Sequence, residues 1–465
     1  MLHFDRSGRR VSLPVALIEI YDNGLKIHRR IRMSPATVNS KQETGSRDRK
    51  LTTLPTAPTD VEGLDIPKSL VEDLMLRRLY SKGKTSIHEL SETLKLSFPL
   101  LHTLFQELRQ KQFFEVMGME GNDYIFSLSG IGREHAAKSF LISHYSGPAP
   151  VSLVNYNRLV RNQAANPMVN RTLLGSVLSD LVVTPRFLDE LGPALASQKA
   201  IFVYGPTGNG KTSVVRRLAA IYQDVVAIPY AVEVDGQVII VYDPAIHEEV
   251  DAFRKRADPR WVICRRPCIV VGGELEPSML ELQLEESTRV YVAPVQMRAN
   301  NGMLVIDDFG RQLMSPQLLL NRWIMPLDRR IDYLTLKYGL KFQIPFEMSV
   351  VFSTNIDPSD LADEAFLRRI PNKIYIDAVD PEVFGRIFDR IVGERKLPHD
   401  PGSAESLRKL CLQMGARELR ACHPRDILDI VVSISAYEGQ TPKVNSDSLK
   451  RAAMLYFAKT RKVEE

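Results

Sequence analysis

Apolar positions along this chain change period several times, and each change marks a different kind of element. In residues 11–32 they alternate about Asp22-Asn23-Gly24, with Val15, Leu17 and Tyr21 before the turn and Leu25 and Ile27 after it, which predicts a small β-hairpin. Residues 34–60 lose all periodicity and become rich in Ser, Thr, Pro, Lys and Arg, the composition of a disordered linker. Helical spacing returns over Lys68–Ser81, Ser86–Leu94 and Phe98–Gln112, and Ser86 followed by Glu89 reads as a capping box. Two strand-like segments follow, Phe113–Met117 and Tyr124–Leu128, with Gly121-Asn122-Asp123 as their turn. From Leu173 onward helices alternate with short β-branched strands, the pattern of a parallel α/β sheet. From about Pro381 to Glu465 the pattern is helical and predicts a separate small lid. The expected organisation is a hairpin segment (1–33), a linker (34–60), a helix-and-wing domain (61–145), a connector (146–172), an α/β core (173–380) and a helical lid (381–465).

Three helices followed by a two-stranded wing resemble a winged helix-turn-helix. Many such domains bind DNA, yet residues 66–140 carry 10 Lys and Arg against 9 Asp and Glu. The third helix would be the recognition helix. It opens Phe98-Pro99-Leu100-Leu101-His102-Thr103 and has no Arg or Lys before Arg109. Phosphate neutralisation needs clustered cations, and base readout needs long polar donors at the helix start. Protein contact is therefore ranked ahead of DNA binding, with both readings open.

Composition narrows the class without deciding it. The chain has 465 residues, 44% hydrophobic and 25% charged, which fits a soluble protein with a substantial core. Residues 1–60 hold 11 Lys and Arg against 6 Asp and Glu, so the whole net charge of +5 sits there and the remainder is neutral. Such a tail suits acidic partners or is simply solvated. Cys264, Cys268, Cys411 and Cys422 lack the neighbouring His or second Cys pair of a zinc site and read as reduced thiols. No run of 18 apolar residues is present, and Glu19 interrupts the best candidate for a signal-peptide core, so a cytoplasmic protein without membrane insertion is expected.

The chemistry is concentrated in the α/β part. The apolar strand Ile201-Phe202-Val203-Tyr204 runs into Gly205-Pro206-Thr207-Gly208-Asn209-Gly210-Lys211-Thr212 and then into a helical stretch through Leu218, and the nucleotide-binding residues are expected to run from Gly205 to Ser213. This is G-x-x-x-x-G-K-[ST] in its strand–loop–helix context. Glycines let the backbone approach closely, and backbone N–H groups at a helix start cradle phosphates. Lys211 would reach the β- and γ-phosphates, and the Thr212 hydroxyl would help hold Mg²⁺. A second apolar strand, Met303–Ile306, ends in Asp307-Asp308. A carboxylate there holds Mg²⁺, a role given to Asp307, while Asp308 would orient or deprotonate the attacking water. A helix-capping pair of acids is the plainer alternative. The third strand, Val350–Thr354, ends in Asn355, which can position water or only form a turn. Arg368 and Arg369 close an amphipathic segment, and Arg425 stands near the start of a lid helix. Each can stabilise phosphoryl charge or be solvated.

Taken in this order, the motifs resemble those of the AAA+ ATPases over about residues 173–460. The resemblance implies a Walker A loop at Gly205–Thr212 and Walker B at Val305–Asp308. It further implies sensor 1 at Asn355, an arginine finger at Arg369 and a second at Arg368, and sensor 2 at Arg425. It implies ATP and Mg²⁺ as ligands. Because the finger reaches a neighbour's ATP, it also implies a homo-oligomeric ring, usually a hexamer. Tyr291-Val292-Ala293-Pro294 and the run Gln317–Arg330 are similar to the MoxR-type branch, whose members act as chaperones that mature or insert components into other complexes, and a looser similarity links the chain to chaperone-like ATPases of Flp/Tad pilus assembly. Two features depart from that pattern. Walker B usually ends Asp-Glu, whereas here it ends Asp307-Asp308, which leaves a slow nucleotide switch as an alternative to a motor. The helix-and-wing region is not part of the usual MoxR pattern, so the partner stays open. The Gly-Ala-Phe-Thr-Gly-Ala loop of sigma-54 activators is absent.

Overall fold

The structure of the protein is a computed structural model. The residues described are 55–457, apart from 122, 166, 251–256 and 362. The hairpin read at 11–32, and the linker up to residue 54, lie outside them.

The first described elements are α1 (Lys68–Lys82), β1 (Lys84–Ser86), α2 (Ile87–Leu94), α3 (Phe98–Gln110), β2 (Phe114–Glu120), β3 (Asp123–Leu128) and α4 (Gly130–Ile142). The strands form an antiparallel sheet in the order β1-β3-β2, so β2 is an edge, bulged between Val116 and Gly118. Only half of the expected capping box forms. Ser86 Oγ accepts the Glu89 N–H at 3.2 Å, but the Glu89 carboxylate turns to the Thr85 hydroxyl and to Lys82. Two nearby cationic or hydroxyl donors outcompete one backbone N–H. Asp123 does more than turn the chain, since its carboxylate accepts the Ile87 and His88 N–H groups and caps α2 from the wing.

A β-rich layer follows, which the periodicity does not announce. Residues 146–172 contain β4 (Val151–Ser152) and α5 (Leu153–Asn162). After α6 (Arg171–Val177), α7 (Pro185–Ala196), β5 (Ile201–Tyr204) and α8 (Lys211–Leu218), the chain enters β6 (Val225–Pro229), β7 (Ala231–Val234), β8 (Gln237–Ile240) and β9 (Trp261–Arg265). Then come β10 (Cys268–Val271), β11 (Gln283–Glu285), β12 (Val290–Val292), α9 (Val295–Arg298) and β13 (Met303–Ile306). One sheet takes the order β11-β12-β8-β7-β4, and β6 pairs with β9. Its core, from Val151 and Tyr156 to Val232, Ile239, Trp261 and Tyr291, also takes in Leu334 and Ile344 from a later hairpin. Arg260, only 3% exposed, ties this layer to the N-terminal helices by donating to Asp65 and Asp258.

The chain continues through α10 (Pro316–Arg322), α11 (Ile324–Arg329), the hairpin β14 (Ile331–Thr335) and β15 (Lys341–Pro345), β16 (Ser349–Thr354), α12 (Pro358–Leu361), α13 (Glu364–Leu367) and β17 (Asn372–Tyr375). The central sheet is wholly parallel, in the order β10-β13-β16-β5-β17. It is covered on both faces, as parallel sheets are. Phe202, Leu304, Ile306 and Phe352 face one core with Trp323, while Ile201, Val203, Val305 and Val351 face the other with Val214 and Leu218. Strand alternation sends successive residues to opposite sides. Four helices close the chain: α14 (Pro381–Arg395), α15 (Ser403–Gln413), α16 (Cys422–Tyr437) and α17 (Ser446–Tyr456), around Phe384, Phe388, Leu407, Leu428 and Leu449. The fold is α/β, a parallel sheet core with a helical C-terminal region. Among the described residues no helix is long and apolar enough to cross a membrane.

Candidate functional site

The loop 205–210 leaves the C-terminal end of β5, and α8 begins at Lys211. Its first glycine is dictated by crowding: a Cβ on Gly205 would lie 2.1 Å from the Ile376 carbonyl oxygen. Gly208 and Gly210 both have φ +82°, a conformation that other residues rarely adopt. Lys211 is buried, and its Nζ donates to the Gly205 and Pro206 carbonyls at 2.9 Å each. Burial lowers its pKa, with the charges of Asp308 and Asp307 opposing that shift. Pro206 is half-buried, while Thr207 and Ser213 are exposed.

The acids come from two strands away. Asp307 follows β13, and its Oδ1 accepts the Thr212 hydroxyl at 3.1 Å and the Asp308 N–H at 3.1 Å. Asp308 has φ +49°. Asp tolerates this left-handed region better than a longer or branched side chain, because its short carboxylate can bond locally. The departure from Glu at 308 thus falls on a position whose backbone suits Asp. Gln312 braces the turn: its Nε2 donates to the Asp307 carbonyl and its Oε1 accepts the Gly310 N–H. No spacing rule singles out Gln312 in the sequence.

β16 lies between β13 and β5, so Asn355 leaves the sheet between the acids and the glycine loop. The Phe309 N–H donates to the Ser353 carbonyl, and the Thr354 hydroxyl donates to the Phe309 carbonyl, fastening the acid turn to the tip of β16.

The arginines divide. Arg368 and Arg369 are not beside the loop. They line a cleft of about 260 Å³ at the opposite, N-terminal ends of β5, β16 and β17, with Lys199, Asp328 and Arg330. A four-residue strand of about 13 Å separates the two ends. There Arg369 Nε donates to Asp328 Oδ2 at 2.7 Å, a pairing across 41 residues that sequence reading misses, while Arg368 is exposed. Arg425 is exposed on the first turn of α16. The lid arginine packed on the loop is Arg420, whose Cδ would lie 3.3 Å from a Cβ on Gly208. The Cys422 N–H donates to the Gly208 carbonyl at 2.9 Å, and the Ala421 N–H donates to Asn209 Oδ1 at 3.1 Å.

These residues fit a nucleotide with its cation. Thr212 Oγ1 and Asp307 Oδ1 are adjacent oxygen donors of the kind Mg²⁺ prefers. The glycine backbone forms a cradle at a helix start, and the buried Asn209 Nδ2 has no protein partner. Elsewhere burial pushes the Cys264 thiol up to about 12 and the Cys268 thiol up to about 11, away from the thiolate form.

Residues 380–455, the helical C-terminal region, match a family described as a domain of unknown function (DUF8689). No curated protein matches the chain. Among solved structures, NtrX from Brucella abortus is 14% identical, with a TM-score of 0.37 over 58% of this chain and 55% of its own. The chain thus spans about half the length of that protein. A RuvB variant from Thermotoga maritima is 12% identical, with a TM-score of 0.34 over 63% of this chain and 73% of its own.

Proposed function

We propose that this chain is an AAA+ ATPase that binds ATP at 205–212 and hydrolyses it between subunits of a ring to remodel a protein partner. The observation that carries this reading is the split site. Lys211, Thr212, Asp307 and Asp308 meet at one end of the parallel sheet, and Arg368 and Arg369 stand at the other. An arginine so placed acts on a neighbour's phosphate or on none, and head-to-tail contacts of this kind close into rings.

In this reading the loop N–H groups and Lys211 bind the phosphates. Thr212 and Asp307 would hold Mg²⁺, which neutralises charge on the phosphate oxygens when bound. Asp308 takes a proton from water as its oxygen attacks the γ-phosphorus and the bond to ADP breaks. Asn355 orients that water. Arg369 of the neighbour, with Arg368 beside it, offsets charge on the transferring group, and Arg425 senses it from the lid. The MoxR-like branch, a pilus-assembly setting and a cytoplasmic location are finer parts of the same proposal. Steady-state phosphate release tests it: turnover per subunit should rise with protein concentration as rings form and vanish in Lys211→Ala. Turnover independent of concentration would overturn the shared site.

A protein partner is favoured over DNA by the surface of the N-terminal module. Its edge strand β2 exposes Met117 (66%) and Met119 (59%) beside Glu115, where a DNA-binding wing needs cations. Residues 55–457 binding duplex DNA with a steep salt dependence would reverse that preference. The slow-switch reading rests on Asp308, shorter than Glu and held at φ +49°. A single-turnover burst followed by negligible steady-state release would favour it.

A further inference from the structure

Helix α16 has no N-cap of its own. Its N-cap position is Ala421, among the poorest capping residues, and no side chain of the helix serves the role. The first four N–H groups of a helix have no intrahelical acceptor and must find one elsewhere. Here all four can be traced. Ala421 N–H goes to Asn209 Oδ1 and Cys422 N–H goes to the Gly208 carbonyl. His423 N–H goes to the Arg420 carbonyl, and Pro424 has no N–H to satisfy. Two of the three real donors therefore end on the glycine loop.

We propose that the loop caps α16 across the chain, and that Asn209 is the positioning residue through which the loop sets the lid and, with it, Arg425. Asn209 is 7% exposed and lies between the two positive-φ glycines, so its side chain moves only when the loop moves. Gly208 is held on its other side by Cys422 and Arg420, where a Cβ would lie 2.7 Å from the Cys422 Sγ. A loop that changes its backbone to take up phosphate changes the acceptors offered to Ala421 and Cys422 in the same motion. Arg425 is one turn further along and follows the direction of that turn. The capping stands on geometry alone. The link to nucleotide rests on the function proposed above.

Three variants separate these layers. Asn209→Leu keeps the size and removes the acceptor, Asn209→Asp keeps an acceptor oxygen, and Asn209→Ala guards against misfolding of the leucine variant. In full-length protein without nucleotide, amide exchange read by mass spectrometry over residues 419–426 should be about tenfold faster in Asn209→Leu and Asn209→Ala than in wild type, matching the loss of one cap, and near wild type in Asn209→Asp. Equal protection in all four proteins overturns the cap, whatever ATP does. With ATP added, wild-type exchange over 419–426 should change and that of Asn209→Leu should not. In a double-mutant cycle on turnover at saturating ATP, Arg425→Ala should cost much less in the Asn209→Leu background than in wild type. Additive losses overturn the positioning role. A wild-type protein that binds no ATP would sink the proposed function and the link to nucleotide, and would leave the exchange result without ATP to decide the cap.

Discussion

The two ends of the parallel sheet are chemically opposite. The C-terminal end gathers a buried lysine, a hydroxyl, two carboxylates and a glycine backbone. The N-terminal end gathers Lys199, Arg330, Arg368 and Arg369 in a cleft of about 260 Å³, with Arg369 paired to Asp328 and Arg330 to Glu347. One end can hold a polyanion and activate water, and the other can offset charge on a transferring phosphoryl group. The four-residue strands of the sheet hold the two about 13 Å apart. If the proposed ATPase reading holds, the difference makes the contact between two copies its functional unit.

That contrast can be broken most sharply at the arginines. Arg369→Ala should leave ATP binding intact and lower turnover about 10³-fold, with Arg368→Ala losing less. Mixing Arg369→Ala with Lys211→Ala should restore part of the activity, because some contacts then pair an intact loop with an intact arginine. No recovery on mixing would confine the site to one chain. At the other end, Lys211→Ala should weaken ATP binding about 100-fold, the loss of charge-assisted hydrogen bonds worth roughly 3 kcal/mol, as measured with a fluorescent ATP analogue. Gly208→Ala combines a strained φ with a clash against Cys422 and should cost about 1–3 kcal/mol in thermal unfolding. Asp308→Gly should abolish turnover yet leave stability unchanged or raised by about 1 kcal/mol, because it relieves the φ of +49°. The smallest effect is with pH. Burial sets the Lys211 pKa below the ordinary 10.5, so its charge is lost earlier on an alkaline titration than that of an exposed lysine. A charged lysine that burial disfavours penalises the fold below its folded pKa. Stability of the ATP-free protein should therefore rise through that window while ATP affinity falls.

Much of the parallel sheet was legible because β5, β13 and β16 are short apolar runs that end in glycine, acid or amide, and their chemistry is local. The β-rich layer was not. Its strands are two to five residues long and their partners are distant, as where Val151 pairs with Val232. No periodicity over so few residues separates such a strand from a loop. Asp328 and the capping of α16 escaped for a related reason: each is a contact between segments far apart in sequence whose residue types are ordinary. Gln312 is local to its turn, but a glutamine two to five residues from its partners carries no signal of that role. Arg369 was visible as a candidate, but its distance from the loop was not, because sequence order says nothing about which end of a strand a later helix returns to.

Gly205 makes one more point, in mechanical terms. The Ile376 carbonyl packs too close to that glycine to admit a side chain, and four residues beyond Ile376 the chain enters α14, so the helical region abuts the first loop residue and is clasped at the fourth and fifth through Cys422 and Ala421. Two fixings on one short loop form a fulcrum. Helix α16 has 16 residues and is about 24 Å long, so a tilt of about 10° at its clasped end would carry the far end about 4 Å. That far end is Tyr437, 94% exposed. A small change of loop backbone would thus be read out, magnified, at the exposed end of the helix.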